Sequence, residues 1–137
     1  MRYPDFYDHA PSVTMYDPLA KFLGAAEGGI LEYRYVDAVK AAGHSCPTVA
    51  SAWLMTLRAL EALYPQDLAE RGGIRVDFRH DSTSGVTGVI ANIVTLVTGA
   101  THDTGFKGLA GRFDRRNLLF FNAAVGEEIR LDRKSAV

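Results

Sequence analysis

The stretch that decides the fold is Cys46-Pro47-Thr48-Val49-Ala50-Ser51-Ala52-Trp53-Leu54-Met55-Thr56-Leu57-Arg58-Ala59-Leu60-Glu61-Ala62-Leu63-Tyr64, closed by Pro65. Val49, Trp53, Leu57, Leu60 and Tyr64 recur at spacings of three and four, the period of one helix face. Ala50, Leu54 and Ala59 add a second apolar flank, and only Arg58 and Glu61 are charged, so the spacing predicts a helix buried on most sides. Proline suits a first helical position because its missing N–H is unpaired there anyway, which makes Cys46 the N-cap.

Working outward, Val36–Ala42 reads as a short helix ended by Gly43, a usual residue just past a helix C-terminus. Ile30–Tyr35 reads as a strand. Asp17-Pro18 opens another short helix, Leu19–Leu23, with the aspartate as its cap. Residues 1–18, with three prolines and Tyr3, Tyr7 and Tyr16, suit an extended arm. Beyond the long helix, Ile74, Val76, Phe78 and His80 alternate with Arg75, Asp77 and Arg79, the pattern of a strand with one face on the core. Asp81-Ser82-Thr83-Ser84-Gly85 then starts a second long helix, Val86–Thr98, with a stripe of Val86, Ile90, Ile93 and Val97. Its polar patch is Asn92 and Thr95, and Gly99 ends it. Residues 101–117 read as a basic, glycine-rich loop or hairpin, Leu118–Phe121 as a short strand, and Ile129 and Leu131 mark a last strand. The expected organisation is an arm over 1–18, one α+β domain over 19–132, in which a mixed sheet packs against two long helices, and a tail over 133–137.

Composition narrows the function classes. The chain has 137 residues, 47% of them apolar and 23% charged, near the averages for a globular domain. No uncharged stretch offers the roughly 20 apolar residues of a bilayer span. The start lacks a basic cluster followed by an apolar run, so a cytoplasmic protein with no membrane partner is expected. A formal charge of −1 argues against nucleic-acid binding, which rests on many Lys/Arg–phosphate contacts. One cysteine permits neither an internal disulfide nor a zinc site with two thiolates from one chain.

Three segments carry possible chemistry. Cys46, at the N-cap of the longest helix, faces unpaired N–H groups and the positive dipole end, which favours thiolate. His44, two residues upstream in a loop opened by Gly43, can join it on one metal ion. The bland reading is an inert packing cysteine beside a polar loop. His80-Asp81 stands at a strand-to-helix junction, where Asp81 is a ligand or orients His80; the plainer alternative makes Asp81 or Ser84 the helix cap. His102, just past the second helix, supplies another nitrogen, and Lys107 and Arg112 on the glycine-rich loop are candidates to receive a carboxylate or phosphate. A basic loop is more often simply solvated.

The run Val36-Asp37-Ala38-Val39-Lys40-Ala41-Ala42-Gly43-His44-Ser45-Cys46-Pro47, followed by a long helix, resembles the FmdE family, which takes its name from a component of formylmethanofuran dehydrogenase and has a Gly-His-x-Cys-Pro loop as its signature. Thr98-Gly99-Ala100-Thr101, Gly105-Phe106-Lys107-Gly108 and Glu128-Ile129-Arg130-Leu131 resemble its later segments, and the likeness covers roughly residues 30–132. It implies an α+β fold, a homodimer and a bound divalent transition metal, zinc or a relative, with His44 and Cys46 as ligands. Ala42 and Ala100 stand where many members carry a histidine and a cysteine, and residues 85–92 lack a further family cysteine. The metal site is therefore reduced to His44 and Cys46, with His80, Asp81 and His102 as local recruits and positions left open for a small ligand. Two rival readings remain: a haem- or cofactor-binding accessory module with Cys46 as axial ligand, and a metal-free enzyme with Cys46 as nucleophile and His44 or His80 as base. A third is a structural domain whose site is dead.

Overall fold

A computed structural model describes residues 1–134. The fold is mixed α+β, with four helices and two small mixed sheets among the described residues. The elements are β1 (Val13–Tyr16), α1 (Pro18–Phe22), β2 (Ile30–Tyr33), α2 (Tyr35–Ala42), α3 (Pro47–Leu63), β3 (Ala69–Glu70), β4 (Ile74–Phe78), α4 (Thr87–Thr98), β5 (Leu119–Phe120) and β6 (Ile129–Arg133). Where a single mixed sheet was expected there are two. The first has the order β2-β1-β3, with β1 antiparallel to β2 and parallel to β3. The second has the order β5-β4-β6, with β4 parallel to β5 and antiparallel to β6.

The largest departure lies at the N-terminus. Residues 5–9 form a turn of 3-10 helix, and Val13–Tyr16 is the middle strand of the first sheet rather than part of an arm. Met15 is fully buried there, pairing with Leu31 on one side and Ala69 on the other. The sequence hid this strand because its four residues, set between Pro11 and Asp17-Pro18, are too few to show a period. Asp17 caps α1 as expected, its Oδ1 accepting from the N–H groups of Leu19 (2.9 Å) and Ala20 (3.1 Å).

The long helix α3 has 17 residues and buries Val49, Trp53, Leu57 and Leu60 as its period requires. It is not enclosed on most sides, because Leu54 on the other flank is 40% exposed. Packed against α3 and α2, the second helix has 12 residues and begins one position later than expected. Val86 is half exposed outside it, and the buried face is Ala91, Ile93, Val94 and Val97. Neither Asp81 nor Ser84 caps it through a side chain. Gly99 closes it in the left-handed conformation with φ 74°, where glycine carries no Cβ penalty.

Between the sheets the chain passes through Arg71-Gly72-Gly73. The Arg71 N–H donates to Tyr16 O (2.8 Å), Gly72 N–H to Thr98 O (2.8 Å), and Lys134 N–H to Gly73 O (2.7 Å). This junction therefore touches β1, the end of α4 and the end of β6. The expected tail begins inside a strand, since Arg133 closes β6; its residues 135–137 lie outside the described part.

Candidate functional site

Cys46 is the N-cap of α3, in extended backbone with φ −139° and ψ 171°, and Pro47 occupies the first turn as the sequence suggested. The thiol is held below its ordinary value, foremost by the backbone N–H of Val49, against a smaller opposing effect of burial; the Thr48 N–H and the His44 side chain add to the lowering. Unpaired amides at a helix start stabilise a negative sulfur, and a neighbouring imidazole does so further when protonated. His44 itself is exposed, its Nδ1 within 3.1 Å of Ala42 O. That contact makes Nδ1 the donor in the neutral ring and leaves Nε2 as the available lone pair.

Beside Cys46 opens an apolar cavity of ≈ 390 Å³, walled by Phe6, Tyr35, Pro47, Trp53 and Leu54 among others. Its polar wall atoms are tied up internally. Trp53 Nε1 donates to Pro11 O (2.9 Å), and the Tyr35 and Ser45 hydroxyls bond to each other at 2.6 Å. The cysteine is thus a polarisable atom at the edge of an otherwise apolar wall.

The other predicted site residues gather elsewhere. Asp81 and His102 line a second, polar cavity of ≈ 480 Å³, together with Asn92, Thr95, Asp103 and Asn122. This cavity lies past the C-terminal ends of the parallel pair β4 and β5, a usual place for ligands in such sheets. His102 Nδ1 is 3.1 Å from Leu119 O, which fixes the tautomer with Nε2 free. The Thr83 hydroxyl and N–H and the Asn122 amide bring the Asp81 carboxyl down to about 2. Bonded to Thr83 two residues on, Asp81 makes a local turn rather than a helix cap. His80 faces away to solvent, its Nε2 2.5 Å from Glu128, which also pairs with Arg79. The structure thus keeps His44 near Cys46 at the start of α3 and places Asp81 and His102 on the wall of one cavity, but does not bring the two pairs together. Among the described residues, no three His, Cys, Asp or Glu side chains are placed to hold a metal ion together.

Of the two basic candidates, Arg112 lines a third cavity, of ≈ 340 Å³, whereas Lys107 is exposed and is not on its wall. Sequence reasoning missed the residues that share this cavity with Arg112, namely Arg71, Arg115 and Lys134. The signal was faint: Arg115 stands in the same basic loop, but Arg71 and Lys134 are far off in the chain.

Comparison with known proteins finds no match among family models, curated proteins or solved structures. Among the described residues, no helix is long and apolar enough to cross a membrane.

Proposed function

We propose that this chain is an FmdE-like domain that holds a divalent transition metal, zinc foremost, through Cys46 and His44. One observation carries the reading. The Cys46 sulfur sits where a 17-residue helix begins, biased toward thiolate by the Val49 and Thr48 amides and by His44 beside it. Thiolate and imidazole nitrogen are the donors that zinc, copper and nickel take from proteins, and magnesium or calcium does not. The donor set fits the metal in kind but supplies two ligands where a closed tetrahedral site needs four. The rest come from water, a small ligand or a second copy of the chain, which is the role a homodimer plays in this reading. A metal held with open positions polarises a bound carbonyl or lowers the pKa of a bound water. His44 and Cys46 would hold it, and the apolar wall beside Cys46 excludes bulk water from one side.

The test is metal content and spectroscopy on the wild type and on Cys46→Ala and His44→Ala. The expected outcome is a bound metal ion in the wild-type protein and, after cobalt substitution, a sulfur-to-cobalt charge-transfer band that Cys46→Ala abolishes. Wild-type protein that takes up neither zinc nor cobalt sinks the reading.

The apolar cavity favours one other function, an accessory module that binds a flat apolar cofactor with Cys46 as axial thiolate. Titration with haem decides it: a Soret shift lost in Cys46→Ala supports the module, and an unchanged haem spectrum excludes it.

A further inference from the structure

The cavity at the sheet junction is built around an arginine that its surroundings do not satisfy. Arg115 is 5% exposed, and its Nη2 donates to Asp17 Oδ1 at 2.6 Å. Asp17 Oδ2 accepts from Arg71 Nη1 at 3.1 Å, so one buried carboxylate stands between two guanidinium groups and leaves one positive charge over. Arg71 is otherwise directed at the backbone, its Nε and Nη2 both donating to Leu96 O. Arg115 Nη1 is buried and has no acceptor among the described residues. Charged donors left in that state are rare in proteins and call for a partner.

The place of Nη1 shows where such a partner would come from. A methyl group on Gly72 would stand 2.2 Å from it and one on Gly99 3.0 Å from it, so two glycines flank the guanidinium. Gly72 is a wall of the cavity, and with φ +89° it occupies the backbone region that glycine tolerates best. Nη1 lies just beneath the wall at Gly72, and Arg115 itself lines the cavity. Two more cations line the same space. Arg112 stacks on Phe113, its Cζ 4.7 Å from the ring centroid, and Lys134 is anchored by its N–H to Gly73 O. Neither has a carboxylate within ion-pair distance among the described residues. Of the acidic residues on the wall, Asp114 is engaged by Arg116 at 3.2 Å, and Glu70 folds against Gly73. The backbone behind Arg115 is fixed as well: its carbonyl accepts from the Thr101 N–H (2.9 Å) and hydroxyl (2.7 Å).

We propose that this cavity is an oxyanion site that takes a phosphate group, free or as a small phosphate monoester, through Arg115, Arg112 and Lys134. Planar guanidinium donors and a mobile ammonium suit the tetrahedral charge of phosphate. The site is separate from Cys46, and its fate is independent of the metal reading.

Calorimetric titration of the full chain with inorganic phosphate, at constant ionic strength set by chloride, tests it. Saturable binding is expected, with a melting temperature raised by about 3 °C at roughly ten times the dissociation constant. Arg112→Ala and Lys134→Ala, both outside the core, should each weaken binding about tenfold without changing the fold. Arg115→Lys keeps a cation for Asp17 but lacks Nη1 and should weaken it comparably; if that variant fails to fold, the other two decide. A glycerol phosphate arm separates the sources: tighter binding than inorganic phosphate assigns a monoester, and weaker binding a free ion. No saturable heat, a shift that chloride reproduces, or equal affinity in wild type and both alanine variants overturns the proposal.

Discussion

At the scale of the residue, Cys46 has a testable acidity that does not depend on what it binds. Its thiol is held down first by the Val49 amide, then by Thr48 and His44. The rate of alkylation by iodoacetamide against pH should therefore reach half its maximum below the ordinary thiol value of 9.0. His44→Ala should move that midpoint up only in part, because the helix amides remain. A wild-type midpoint at or above the ordinary value would remove the thiolate from both leading readings. This local chemistry was legible because everything that creates it lies between Gly43 and Val49: a glycine, a proline and the start of a periodic helix. The partners of the other candidates were not. His80 meets Glu128 48 positions away, and Arg115 meets Asp17 98 positions away, and no local pattern announces such pairs. Asp81 shows the opposite limit. Asp-Ser-Thr is equally suited to a cap and to a local turn, and only the backbone decides that Thr83 takes its carboxylate.

Among elements, β1 separates the sequence reading from the structure most clearly, and Met15 is the residue that measures it. A side chain on a loosely lying arm changes stability by under about 0.5 kcal/mol when truncated, whereas one sealed in the core costs about 2–5 kcal/mol. Met15 is fully buried between β2 and β3. Met15→Ala should thus lower the urea midpoint with little change in the slope of the transition, and a midpoint equal to wild type would return residues 13–16 to the status of an arm. The long elements were readable because periodicity accumulates over many residues. α3 repeats its apolar spacing along 17 residues, and β4 shows a clean alternation of Ile74, Val76 and Phe78. β3 and β5 have two residues each, and two residues carry no period. The single mixed sheet inferred from sequence became two because the longer strands pair as β1 with β2 and β4 with β6, a choice of partner that no single strand's pattern announces.

For the whole molecule, the Asp17 cluster ties together parts that the chain order keeps apart: the start of α1, the junction between the sheets, and the loop after α4. Its carboxyl lies below the ordinary 3.8 even though burial, the largest single influence, pushes the other way; the Ala20 amide, Arg115 and Arg71 together outweigh it. A folded pKa below the unfolded one means that the contribution to stability is complete above about pH 4 and is lost as the pH falls through the folded value. Asp17→Asn retains an acceptor for the α1 cap and removes only the charge, leaving two guanidinium groups facing each other without an anion. At pH 7 this should destabilise the fold by about 3 kcal/mol, the order found when one partner of a buried pair is removed. As the pH is lowered below about 4 the wild type comes to resemble the variant, so the gap between their urea midpoints should narrow. A gap that stays constant from pH 7 to acid would mean that the Asp17 charge does not hold the two sheets together. Excess phosphate adds a further discriminating arm: an anion in the cavity offsets part of the surplus positive charge, so the variant should recover more stability from phosphate than the wild type does.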